Sequence, residues 1–229
     1  MITLRKLVSD IRLIASSGPT SQDFRISDRQ IAHWIGECRA ILISQAMSKR
    51  EDAQDVWQQT IPKIELQLVD KSRASDLTTD CNILKSLLPI PGTIDGTENY
   101  FSITGIDDTQ ITPAHMFNAK YKKFNKFTSK KSNWYIKDSY LFIENTTADG
   151  NMLKYVSGTG IFEDPKELNA FKTAIGEILW DWDSEYTVTA KLANAITDII
   201  IKTKVLPLVQ SIADPQNNAK DNSERELKQ

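Results

Sequence analysis

The stretch VSGTGIFEDP, Val156 to Pro165, decides how the chain is divided, because it is either a phosphate-cradling loop or the point where a strand hands over to a helix. A P-loop requires GxxxxGK[ST], with a lysine reaching the phosphates, and a dinucleotide site requires GxGxxG opening directly into a helix. Here Gly158 and Gly160 are followed by Ile161, Phe162, Glu163 and Asp164, so a phosphate would meet two carboxylates and no lysine. The boundary reading explains more residues. Asp164 suits an N-cap, Pro165 the first helical position, and Glu167 the first turn, where a carboxylate faces the positive end of the helix dipole. The glycines then mark a bulge or a close backbone approach in the preceding strand.

Upstream of that boundary, from about Trp57, short alternating or continuous apolar runs separated by turn residues predict a β-rich module. In WQQTIPKIELQLVD, Ile64, Leu66 and Leu68 share a face, and Pro62 predicts an edge strand or a strand beginning. CNILKSLLPIPG ends at a proline-glycine stop, TIDG is a turn, and NYFSITGID is a further short strand. NWYIKDSYLFIEN predicts a hairpin hinged at Lys137, Asp138 and Ser139, and MLKYVSGTGIF a returning strand.

Both flanks show the helical period instead. Leu4, Leu7, Val8, Ile11, Ile14 and Ala15 form one stripe that stops at Gly18-Pro19. Ser27 and Gln30 make a capping box, opening a second helix with Ile31, Trp34, Ile35, Cys38, Leu42 and Ala46 on one face. Ile41 and Ile43 widen that face, as a second partner would require. Beyond Pro165, Leu168, Phe171, Ile175, Ile178, Leu179 and Trp182 predict a third helix. Val188, Leu192, Ala195, Ile196 and Ile199 predict a fourth, kinked or ended by Pro207. The tail from Ala213 has one leucine and no aromatic residue, so burial does not order it without a partner.

These elements predict an α+β fold: residues 1–56 and 164–212 as two halves of one helical bundle, 57–163 as a projecting central β-rich module, and 213–229 as a polar tail.

Composition narrows the function classes. The 229 residues are 40% hydrophobic and 25% charged, with a net charge of -2, so the chain buries a substantial core and has no chain-wide basic field for DNA or an anionic membrane. The two cysteines, Cys38 and Cys81, lack a CxxC spacing, which disfavours a disulfide framework and a thiolate metal site. The amino terminus alternates charged and apolar residues, unlike a signal peptide, and the apolar cluster at Ile199 to Ile201 is far shorter than a membrane span.

Three clusters invite a chemical reading. The run KYKKFNKFTSKK places Lys120, Lys122, Lys123, Lys126, Lys130 and Lys131 among Tyr121, Phe124 and Phe127, a composition suited to phosphates and stacked bases and so to a nucleic-acid-binding accessory protein. It also fits an edge kept soluble by lysines or a protein interface, which the slight acidity of the whole chain favours. Asp181, Asp183 and Glu185 supply three carboxylates in WDWDSE, but positions two apart on a helix diverge, so a solvated corner is the expectation. His33 and His115 have no acid or cysteine motif beside them. No GxSxG, HExxH or EF-hand pattern occurs, and no catalytic residue, metal or cofactor is expected.

Two segments, DRQIAHWIGECRAILISQ (Asp28 to Gln45) and GIFEDPKELNAF (Gly160 to Phe171), resemble the neck, or head-to-tail connector, proteins of tailed bacteriophages, most closely the ring proteins of crAss-like phages. The resemblance implies a non-enzymatic virion subunit, assembled in the host cytoplasm into a dodecameric ring below the portal. Its partners would be copies of itself, the portal, adjacent neck and tail rings, and genomic DNA passing without sequence-specific contact. By the same analogy the tail from Ala213 would dock on a neighbouring ring. Ring closure needs two different faces on each subunit, for which the widened second helix and the projecting hairpin around Tyr135 to Ile143 are the candidates.

Overall fold

The computed structural model describes residues 2–16, 26–49, 55–69, 82–94, 100–105, 109–114, 132–145, 153–173 and 175–210. Its strands are β1 (Gln59–Leu68), β2 (Asn82–Ser86), β3 (Ser102–Thr104), β4 (Gln110–Pro113), β5 (Asn133–Lys137), β6 (Tyr140–Asn145) and β7 (Tyr155–Gly160). They close into a barrel in the order β1-β2-β6-β5-β4-β3-β7. Neighbours run antiparallel except β4 and β5, which are parallel.

Closure explains the glycines of β7. Val156, Gly158 and Gly160 are the buried positions of an alternating strand. A Cβ added at Gly158 would lie 2.9 Å from Ile64 Cδ1, and one at Gly160 only 2.6 Å from Phe101 Cδ2. Bulky side chains from β1 and from Phe101, beside β3, therefore occupy the space that a β7 side chain would need. Phe101 meets Trp134 edge-on at 5.2 Å and Phe162 at 6.1 Å, so aromatic packing fills the interior. Trp134 also satisfies its indole N–H, which donates to the Ile111 carbonyl at 3.0 Å.

Pro62 is not at a strand start, and it lies outside the part of β1, Leu66 to Leu68, that pairs with β2. It lies inside β1, where the register with β7 shifts between Ile61 and Ile64. A bulge spares the strand one ladder bond, which is where a residue without an N–H is tolerated. Ser157 reinforces the irregularity by donating its hydroxyl to the Ile61 carbonyl at 3.2 Å.

The hairpin at Asn133 to Asn145 forms with its turn at Asp138 and Ser139, both at positive φ (51° and 65°), the twist that suits a two-residue connection. It does not project. Trp134, Tyr135, Leu141, Phe142 and Ile143 are all buried because β5 and β6 are barrel walls.

Three helices pack against this barrel: α1 (Leu4–Ala15), α2 (Asp28–Ser48) and α3 (Ala190–Ile200). Thr3, Ser27 and Thr189 cap them by accepting from the backbone N–H of Lys6, Gln30 and Leu192 respectively. After α3 the chain passes through a π-helical turn, Ile201–Val205, into a short helix, Leu206–Gln210. The wider turn comes just before Pro207, whose ring and missing N–H oppose a regular helical ladder.

The predicted terminal helical bundle with a β insertion is therefore overturned by a closed seven-stranded barrel. Two physical reasons stand out. The apolar stripes of the helices do not face only one another: Leu4, Ile31, Ile35 and Ile196 belong to the same buried cluster as Ile61, Ile103, Trp134 and Val156 of the barrel. The predicted third helix is also absent. Pro165–Ala170 forms a 3-10 helix, and the chain then reverses at Gly176, whose φ is +89°. Phe171 and Leu179 repeat at helical spacing but are brought together by a hairpin, in which Leu179 N–H donates to the Phe171 carbonyl at 3.2 Å.

Candidate interaction surfaces

Helix α2 is the element on which both the fold and its outer surface depend. Ile31, Trp34, Ile35 and Cys38 join the main core, while Ile43 enters a second cluster with Trp57, Ile94 and Ile161. Part of the widened apolar stripe thus serves the chain's own barrel. Burial pushes the Cys38 thiol up, keeping it in the unreactive protonated form.

Between those two clusters sits Arg39, with no solvent exposure. Its Nη1 donates to the Phe162 carbonyl at 2.7 Å and to Glu163 at 3.5 Å, its Nε to Thr187 at 3.1 Å and its Nη2 to Trp57 at 3.4 Å. The planar fork thereby joins α2 to the entrance of β1, the exit of β7 and the approach to α3. Burial lowers the Arg39 pKa, and the Asp164 charge opposes that shift. Periodicity did not single out Arg39. The signal available was a long cationic residue in line with the apolar positions Ile35 and Ile43.

Asp164 accepts from Lys166 N–H at 3.0 Å, with Pro165 next in the 3-10 helix. Lys166 Nζ also lies 3.2 Å from the Asp164 carboxylate. Burial raises the Glu167 pKa and the Asp164 charge adds to it, while a backbone hydrogen bond from Gly92 opposes. Glu167 lies in the first turn of that 3-10 helix with its side chain exposed.

Beside this acidic turn runs a groove of about 490 Å³, lined by His33, Gly36, Ala40, Ile41 and Lys204 together with Glu37, Glu163 and Asp164. Its floor is open at Gly36, where an added Cβ would meet nothing within 4 Å. Ile41, 56% exposed, stands at its side. His33 Nε2 lies 3.3 Å from Glu37 on the same helix, a surface i,i+4 pair.

A second apolar surface is an exposed hairpin. The hairpin after Phe171 carries Ile175 and Ile178, exposed by 80% and 62%, at a turn in which Thr173 Oγ1 accepts from Glu177 N–H at 3.1 Å. It borders a cleft of about 280 Å³ against β1 and the exposed pair Leu87 and Leu88.

The carboxylates of WDWDSE do not converge. Asp183 forms a two-pronged pair with Arg5, at 2.6 and 2.9 Å, and Asp181 accepts from Asp183 N–H, Ser184 N–H and the Ser184 hydroxyl. These bonds hold down the Asp181 pKa and fold a corner onto which the amino terminus docks: Tyr186 N–H donates to Ile2 O and Arg5 N–H to Trp182 O. Among the described residues no group of three or more His, Cys, Asp and Glu side chains could hold a metal ion, and no helix is long and apolar enough to cross a membrane.

The lysine and aromatic run from Lys120 to Lys131, His115, Cys81 and the tail from Ala213 lie outside the described residues.

A protein-family model described as phage tail ring protein 2 matches residues 6–223. No curated protein matches the chain.

Proposed function

The chain belongs to the phage tail ring protein 2 family of crAss-like phages, and from that premise we propose that it forms one closed ring of the neck, joining the portal to the next tail component around the DNA channel. Family membership makes it a structural component of the virion that assembles with copies of itself and with other phage structural proteins. The proposal adds the position in the neck, a dodecameric ring, the portal as partner and a non-enzymatic role. Assembly would take place in the host cytoplasm, before the particle is complete.

The observation that carries this reading is the family match along nearly the whole chain. Two physical features support it. An interior filled by Phe101, Trp134 and Phe162 gives a rigid body suited to load-bearing. A net charge of -2 suits a channel wall, because cationic walls retain phosphates by releasing their counterions.

The test is to mix the purified chain with the portal protein of the same phage and image the product by electron microscopy. A ring stacked on the portal is expected. A chain that stays monomeric and ignores the portal overturns the reading.

A further inference from the structure

We propose that adjacent copies in the ring are joined through the hairpin after Phe171 of one copy, whose Ile175 and Ile178 seat in the α2 groove of the next, over Gly36 and beside Ile41. This rests on the ring reading above. A closed ring requires a heterologous contact, in which two different surfaces of one chain are complementary. The hairpin, which carries two exposed isoleucines, and the groove share no residue.

Three observations fit a second copy as the occupant. Ile175 is 80% exposed on a hairpin tied by backbone bonds from Thr173 to Glu177 and from Leu179 to Phe171, so its burial would remove an apolar side chain from water. The groove is open where it matters, since nothing lies within 4 Å of a Cβ added at Gly36, leaving room for an aliphatic side chain above the helix backbone. Charges also match in sign. Lys172 and Glu177 stand on the two arms of the hairpin, and the groove presents the Glu37, Glu163 and Asp164 carboxylates with the Lys204 ammonium, so Lys172 meets an acidic surface and Glu177 a single cation.

The test uses two full-length variants, Ile175→Asp and Gly36→Phe, measured by native mass spectrometry alone and mixed. The wild type is expected to give closed oligomers, and each variant alone only monomer. Their mixture is expected to give a dimer containing one of each, since one intact hairpin and one intact groove remain. Thermal melts within a few degrees of wild type are expected for both, because Ile175 is exposed and the Gly36 Cβ meets open space. Variants that assemble as the wild type does, or a mixture that stays monomeric, overturn this contact while leaving the ring reading intact. A wild type that remains monomeric even with the portal present overturns the ring reading and this contact with it.

Discussion

Arg39 Nη1 donates to the carbonyl of Phe162 at 2.7 Å, linking residues 123 positions apart with no water-exposed atom on the arginine side. One side chain from α2 thus terminates the strand that closes the barrel. The same guanidinium holds Thr187, where the chain turns towards α3.

Replacing Arg39 should therefore be among the most damaging single changes. Arg39→Met keeps the length but leaves the buried carbonyls of Phe162 and Trp57 and the part-buried carbonyl of Thr187 without these donors, at a cost of about 3 kcal/mol or more. Arg39→Lys should recover little, because one ammonium does not reproduce the fork. Urea denaturation measures both. A lysine variant within about 0.5 kcal/mol of wild type would contradict the fork argument.

Gly160→Ala should destabilise the barrel by about 1 to 3 kcal/mol, since its Cβ would sit 2.6 Å from Phe101 Cδ2 and force that ring from its packing against Trp134. Gly36→Ala provides the contrast. It lies in a helix with free space at the Cβ and should stabilise by up to about 1 kcal/mol. Opposite signs for two glycine-to-alanine changes are what thermal or urea unfolding should record.

Alkaline unfolding should carry a contribution from Tyr135, whose phenol burial pushes its pKa up to about 12 from 10.0. Between those values the unfolded chain releases the proton while the folded chain keeps it, so stability falls as pH rises through that window and is fully present below it. Tyr186 shifts in the same direction through burial. A Tyr135→Phe variant should show a shallower loss of urea midpoint above pH 10 than the wild type. Equal slopes would place the Tyr135 phenol in a solvated environment.

Asp164→Ala removes the acceptor for Lys166 N–H and should cost about 0.5 to 2 kcal/mol. Its effect should exceed the capping contribution alone, because the Asp164 charge also supports the ionised form of Arg39. Combining Asp164→Ala with Arg39→Met in a double-mutant cycle measures that coupling. Strict additivity would mean that the two sites act independently.

The parts of the fold legible in the sequence were those settled by local chemistry. Ser27 ahead of Gln30 gave a helix start, Lys137, Asp138 and Ser139 gave a hairpin hinge whose turn proper is Asp138 and Ser139, and Gly158 and Gly160 gave a close approach. What local chemistry does not carry is the identity of the surface that covers an apolar stripe. Ile43 and Ile35 look alike in a helical pattern, yet one meets the barrel entrance and the other the main core. Likewise, Phe171, Ile175 and Leu179 keep a helical spacing, and only the positive φ of Gly176 distinguishes a hairpin from a helix. The candidate surfaces were half legible: Ile41 marked α2, while the exposed hairpin was hidden inside a predicted helix.

A ring holds many copies of one chain side by side, at a local concentration where unpaired strand edges would zip together into runaway sheets. Here β1 bonds to β7 and completes the circuit, so each described strand of the barrel has a strand neighbour on either side. Recognition between copies then passes to side chains, which discriminate one surface from another where backbone amides do not. The closure that fixes the shape of one subunit thus also limits how its neighbours can attach.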